Sequence, residues 1–314
     1  MMRVLKILIS VSLIAFLVWK ADLGTFFTDL GRIDRTMFAL AVIILTVQYP
    51  VSAWKWRYSL RSHGIDYPFG YLLFVLCVGF FFNNFLPTAI GGDAYRAVRT
   101  MSHAPRKAYP ISAVILERLL GLAALLLLGY ACAIYLLLFG SLSHPSWVML
   151  AVGAASAGIV LAATLWWFGL FDRFVGWLRG FSRLEPLCDS LRIIGVNREH
   201  LLGLVATSFL FQIFAIVAVA LLFASLGLKS TFYESGFTAA AAGVAGILPI
   251  SINGIGVVEG SFVAAAWEAG LPYADAIIVA LFLRVFMLAS SVVFGILYAV
   301  EPRSKREILK EPAT

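Results

Sequence analysis

The sequence predicts an all-α polytopic membrane protein with about six full transmembrane helices and two broken, re-entrant hairpins, arranged as inverted repeats. The first observation behind this is compositional. Of 314 residues, 61% are hydrophobic and only 13% are charged, with a mean hydropathy of +0.94, which a water-soluble domain of this size does not tolerate at its surface. The second is a series of apolar runs able to cross about 30 Å of hydrocarbon. The third is a feature that occurs twice. Leu86-Pro87-Thr88-Ala89-Ile90-Gly91-Gly92-Asp93 and Leu248-Pro249-Ile250-Ser251-Ile252-Asn253-Gly254-Ile255-Gly256-Val257-Val258-Glu259 each place a Pro/Gly break, closed by an acid, inside apolar sequence.

The full-length runs are Leu5 to Trp19, Met37 to Trp54, Pro110 to Phe139, Trp147 to Phe171, Leu201 to Gly227 and Ala274 to Val300. The first follows Arg3 and Lys6, as a signal peptide would, but Trp19-Lys20-Ala21-Asp22 is a poor cleavage site and an uncleaved span is expected. The interrupted segments are Phe69 to Asp93 and Tyr233 to Gly270.

Positive charge in short loops marks the cytoplasmic side. Lys55, Arg57 and Arg61 precede the first broken segment, and Arg96, Arg99, Arg106 and Lys107 follow it, so both its ends are expected inside. Arg173 to Arg198 and the tail with Arg303, Lys305, Arg306 and Lys310 also read as inside, whereas Gly140 to Ser146 carries no Lys or Arg and reads as outside. Three crossings per half then invert the second copy relative to the first. The expected organisation is one membrane domain over residues 1–302, with repeats at about 1–139 and 147–300, a connector over 172–200, and a basic cytoplasmic tail at 303–314. Both termini are placed in the cytoplasm and the protein in the inner (cytoplasmic) membrane. The net charge of +7 sits mostly in these loops and does not call for nucleic acid.

In the connector, Phe174, Trp177, Leu178 and Phe181 recur at helical spacing opposite basic residues, as in a helix lying in the headgroup plane. It serves either to recruit anionic lipid or as a plain interfacial link. Cys77, Cys132 and Cys188 are widely spaced, and His63, His103, His144 and His200 fall at segment edges, so neither a disulfide framework nor a metal site is indicated. No cofactor is expected.

Irregular backbone at membrane depth survives only where it is buried in protein or lines a wet cavity. Pro87 and Pro249 stop one half-helix. Gly91, Gly92, Gly254 and Gly256 permit tight geometry, and a second half-helix can begin with N–H groups aimed inward, an arrangement that attracts phosphate. From Asp93 to Arg118 is 25 positions (118 − 93), and from Glu259 to Arg284 is also 25 (284 − 259). Each arginine lies about nine or ten residues into an apolar run, where it costs from a few to more than ten kcal/mol unless paired or hydrated. The partners within reach are Glu117, Asp93, Glu259 and the anionic group of a ligand.

Other readings of these residues stand beside the functional one. The arginines can be structural ion pairs, Asp93 can be a helix cap with Arg96 as its surface partner, and Asn83 and Asn84 can satisfy open backbone groups. Phe80, Phe81 and Phe82 read as core or lipid-facing, and Glu268 and Asp275 as solvated charges in the outer loop.

Asn83-x-x-x-Pro87-x-x-x-Gly91-Gly92-Asp93 with Tyr95-Arg96, then Glu117-Arg118-x-x-Gly121, then Asn253-Gly254-Ile255-Gly256-x-x-Glu259-Gly260, resembles the flippase-like transmembrane domain of lysylphosphatidylglycerol synthase/flippase proteins. The resemblance covers roughly Leu5 to Val300. It implies an all-helical lipid-translocating domain in which Asp93, Arg118 and Glu259 serve transport. In the bifunctional members a soluble aminoacyl-transferase domain follows. Here the chain stops at Thr314, so synthase activity is expected to be absent and the protein not to be an enzyme. Stand-alone relatives are linked to other lipids, including hopanoids and glycolipids.

The sequence-level expectation is therefore a lipid flippase moving an anionic or headgroup-modified lipid, whether phospholipid, glycolipid or polyprenyl-linked, through a cavity between the repeats. Arg118 or Arg284 would hold the phosphate, while Asp93 and Glu259 would neutralise the arginines in the empty site or take a cationic headgroup or a coupling proton. The alternatives are an accessory subunit and an intramembrane lipid-modifying transferase. Membrane lipids are the expected partners, with a separate lipid synthase or glycosyltransferase and a homo-oligomer also compatible.

Overall fold

In lipid every backbone N–H and C=O must be satisfied within the protein, and a helix does so within one segment. A computed structural model describes residues 33–85, 91–140, 142–146, 148–151, 198–247 and 251–300. Among them the regular elements are helical: α1 (Arg35–Ser62), α2 (Phe69–Phe85), α3 (Gly91–Arg99), α4 (Tyr109–Phe139), α5 (Arg198–Ser225), α6 (Phe232–Ile247), a 3₁₀ turn (Ile252–Gly254), α7 (Val257–Glu268) and α8 (Tyr273–Val300).

α1, α4, α5 and α8 are long and apolar enough to cross a membrane, and they match four of the six expected spans. The runs at Leu5 to Trp19 and Trp147 to Phe171, the connector, the tail, Cys188, Pro87 and Pro249 lie wholly or largely outside the described residues. Large apolar side chains such as Ile43, Leu126, Leu127, Val285 and Ile296 are exposed on the long helices. In water this would be a liability, but against acyl chains it is the expected outer surface.

α1 starts where the Asp34 carboxylate accepts from the N–H groups of Thr36 (2.8 Å) and Met37 (3.2 Å), an N-cap that satisfies orphan donors. It extends well past Trp54, so Lys55, Arg57 and Arg61 belong to the helix and not to a loop. The reason is visible along one face: Ser52, Lys55, Ser59 and Ser62 are all buried, and the Ser59 hydroxyl donates to the Ala113 carbonyl at 2.8 Å.

Each interrupted segment folds back on itself. In the first, the Tyr71 hydroxyl donates to the Arg99 carbonyl (2.9 Å) and the Gly92 N–H to Asn83 Oδ1 (2.8 Å), so the two ends of α2 meet opposite ends of α3. A methyl on Gly92 would overlap the Gly79 carbonyl oxygen, so the closeness of the helices is set by a residue without a side chain. In the second, Phe237 of α6 and Ala265 of α7 share one apolar cluster. The chain reverses there through Asn253 (φ 52°), Gly254 (φ 71°) and Gly256 (φ 82°), left-handed conformations that Gly adopts freely and Asn tolerates.

Two of the apolar clusters among the described residues carry the elements around the breaks. One, around Trp56, Leu60, Leu72, Leu76 and Val114, ties α1, α2 and α4. Another, around Ala41, Phe223, Ala242, Phe262, Val263 and Ile277, ties α1, α5, α6, α7 and α8.

Candidate functional site

Both acid–arginine pairs marked by the 25-residue spacing form. Asp93 lies in the first turn of α3, and Arg118 of α4 grips it as a fork, with Nε 2.5 Å from Oδ2 and Nη2 2.9 Å from Oδ1. Glu259 lies in the first turn of α7, where Oε1 accepts from Arg284 Nε of α8. Arg284 also donates through Nη1 to the Asn253 carbonyl (3.3 Å), and Glu259 Oε2 accepts the Gly256 N–H (2.7 Å). Each pair joins a half-helix that follows a break to the next long helix.

Glu117 is held directly by two other cations. It is buried, with Lys55 Nζ at 3.1 Å from Oε1 and Arg96 Nη2 at 2.5 Å from Oε2. Arg96 was expected at the surface as a partner of Asp93, and it is instead 6% exposed. Its guanidinium carbon lies 4.3 Å from the Trp56 ring centre, and its link to Asp93 is longer, at 3.7 Å. The burial follows from Gly79, whose missing side chain leaves room against which the Arg96 stem packs. Gly121, the last residue of the Glu117-Arg118-x-x-Gly121 pattern, plays the same part for Lys55: a methyl there would sit 2.9 Å from the ammonium.

A cavity of about 410 Å³ opens onto this cluster, walled by Lys55, Asn83, Arg96, Glu117, Arg118 and Gln212. Phe80 also faces it, whereas Phe81 and Phe82 pack on Phe85, Tyr95 and Tyr298. The Arg118 side chain is 54% exposed, and that of Arg284 only 10%. The two arginines expected to be equivalent are therefore not, and Arg284 is closed inside protein.

The breaks are joined directly. Asn253 Nδ2 donates to Asn84 Oδ1 at 2.7 Å, and Asn84 Nδ2 donates to Ser291 Oγ at 2.5 Å. The half-helix N–H groups expected to face a phosphate are partly occupied: Gly92 by Asn83 and Gly256 by Glu259. The Asp93 carboxylate engages Arg118 closely and Arg96 at 3.7 Å. Glu268, expected as a solvated charge, is 2% exposed and accepts from the His144 N–H at 2.5 Å.

The sequence reasoning missed Lys55 and Gln212 as cavity residues and Ser291 as the partner of Asn84.

Residues 3–295 match the family described as the lysylphosphatidylglycerol synthase TM region. A UPF0104 membrane protein of Methanothermobacter thermautotrophicus is 24% identical over 280 residues, covering 81% of this chain and 82% of that protein. A UPF0104 membrane protein of Pyrococcus horikoshii is 26% identical over 123 residues, 38% of this chain and 37% of its own length. No solved structure matches.

Proposed function

The chain belongs to the lysylphosphatidylglycerol synthase TM-region family, and from that premise we propose that it is a lipid flippase, moving a lipid headgroup across the inner membrane through the cavity at Arg118. The observation that carries this is a charged, roughly 410 Å³ cavity built between helices long enough to span the membrane. A cluster of ionised side chains at membrane depth is costly, and where it lines an open space it marks a substrate path. The Arg118 side chain is half exposed although its fork holds Asp93, so a phosphate in the cavity can share or displace that carboxylate on the guanidinium.

In this reading the two hairpins are re-entrant, the halves are inverted repeats, six helices cross the bilayer and both termini face the cytoplasm. The equal 25-residue spacing of the two acid–arginine pairs supports it, as does their placement after matching breaks. A cysteine at His103 is then modified by an impermeant thiol reagent only after permeabilisation, and one at Lys229 in intact cells. Labelling of both from one side removes the inversion.

The decisive test is reconstitution. Purified protein in liposomes transfers a labelled anionic lipid between leaflets, and Arg118→Ala abolishes transfer while the protein stays folded. Transfer that requires a co-reconstituted lipid synthase assigns the accessory role instead, and unchanged transfer in Arg118→Ala removes Arg118 from the path.

A further inference from the structure

The charge balance of the cavity narrows what enters it. Lys55 and Arg96 share Glu117, and Arg118 holds Asp93 with Arg96 nearby. Among the described residues of this cluster three cations therefore face two carboxylates, one positive charge in excess. The excess is also where the site is open. Glu117 has each oxygen on a cation within 3.1 Å, and both oxygens of Asp93 are on Arg118, whereas the Arg118 side chain is half exposed. The other polar groups on the wall, Asn83, Gln212 and Ser52, are uncharged.

An ammonium entering this space meets three cations, and to reach a carboxylate it must displace one of them. A phosphodiester meets an exposed guanidinium and cancels the surplus. Resting on the flippase reading for its path though not for its chemistry, we propose that the cavity takes a lipid with a net-anionic phosphodiester headgroup that bears no ammonium, and that it rejects aminoacylated lipids. Specificity arises here from the penalty against the wrong charge as much as from attraction to the right one.

The test is binding to the purified full-length chain in nanodiscs, with three probes of identical acyl chains: phosphatidylglycerol, phosphatidylcholine and lysyl-phosphatidylglycerol. The expected order is phosphatidylglycerol first and lysyl-phosphatidylglycerol last, with a gap of about tenfold or more, since like-charge juxtaposition opposes binding. Equal or tighter binding of the lysyl lipid overturns the proposal. Gln212→Glu adds the missing carboxylate at nearly the same volume and is expected to erase most of that gap. Wild-type selectivity that persists unchanged in a folded Gln212→Glu protein places recognition elsewhere and also overturns the proposal. Should that variant fail to fold, the wild-type order still decides.

Glycerol 3-phosphate separates a lipid site from a soluble-anion site. Failure of millimolar glycerol 3-phosphate to displace phosphatidylglycerol supports the lipid, and full displacement refutes it. Selective binding without leaflet transfer sinks the flippase function and leaves this inference standing. Transfer of all three lipids at equal rates and affinities sinks the inference alone.

Discussion

The two acid–arginine pairs begin from the same sequence device and end in opposite surroundings. Asp93 and Glu259 are 166 positions apart (259 − 93), as are Arg118 and Arg284 (284 − 118). At that same offset the cluster beside the first pair, Lys55, Arg96 and Glu117, corresponds to Leu221, Phe262 and Leu283 beside the second. Those three pack into the apolar core of α1, α5, α6, α7 and α8. Arg118 of the first pair thus lines a cavity among charges, and the second pair is buried. An arginine fork at membrane depth can either offer charge to a ligand or tie two helices together, and its neighbours decide which.

The largest effect expected from this contrast is in stability. Arg284→Ala leaves Glu259, 2% exposed, without its cation, and breaking a buried pair in this way costs about 3–5 kcal/mol. Arg118→Ala, half exposed to the cavity, is expected to cost about 1 kcal/mol or less and to lose lipid transfer instead. Thermal unfolding in detergent measures the first and liposome transfer the second. Equal losses of Tm in the two variants would erase the distinction between ligand and staple.

A second experiment rebuilds one half as the other. Glu117→Leu alone strands Lys55 and Arg96 and is expected to destabilise by about 3 kcal/mol or more. The triple change Lys55→Leu, Arg96→Phe and Glu117→Leu installs the residues found 166 positions on. Replacing a buried charge network by packed apolar side chains is often neutral or stabilising, so this protein is expected to keep more stability than the single variant while losing lipid binding. If the triple variant unfolds below Glu117→Leu, the charged cluster is needed to build the fold and not only the cavity.

How much of this was legible in advance follows from the range of each signal. The breaks, the acids and the arginines could be read because intramembrane charge and Pro/Gly interruption are rare and local. The equal spacing singled out Asp93, Arg118, Glu259 and Arg284, but the choice of partner stayed open among Glu117, Asp93, Glu259 and a ligand, because only the packing of each helix after a break on the next span decides it. Arg96 was misplaced because i,i+3 adjacency to Asp93 suggests a surface pair, whereas Gly79 opens an inward slot that only the fold reveals. Lys55 was hidden among loop charges, yet Ser52, Lys55, Ser59 and Ser62 form a polar stripe at helical spacing, and all four are buried. That stripe was the available signal. The inequality of Arg118 and Arg284 could have been sought in Glu117 against Leu283, one residue before each.

Backbone closeness separates the hairpins by a smaller margin. Gly92→Ala drives a methyl into the Gly79 carbonyl and is expected to cost toward the upper end of about 1–3 kcal/mol. Gly260, in the second hairpin, has nothing within 4 Å of where a methyl would go, and its counterpart 166 positions earlier is Ala94. Gly260→Ala, at the end of the first turn of α7, is therefore expected to stabilise by about 0.5–1 kcal/mol. Parallel denaturation of the two variants measures the contrast, and similar shifts would mean that the tight crossing at Gly92 does not set the first hairpin.

The smallest effect concerns what links the residues flanking the two breaks. Asn253 reaches Asn84 across the two breaks, and Asn84 in turn reaches Ser291 of α8. The chain reversal also needs Asn253 for its backbone, at φ 52°, so replacing it with Ala mixes conformational strain with a lost hydrogen bond. Asn253→Gly removes the side chain and keeps the left-handed conformation accessible. A double-mutant cycle of Asn253→Gly with Asn84→Ala is therefore expected to give a coupling near 1 kcal/mol, the usual net worth of one such bond. Asn84→Ala with Ser291→Ala should give a similar value, because the same amide serves both. If the two cycles return nothing, the breaks merely lie side by side, and movement of the Arg118 half need not be felt at Glu259. If they return the expected coupling, and it disappears when phosphatidylglycerol occupies the cavity, the asparagine bridge is the element released as one half opens.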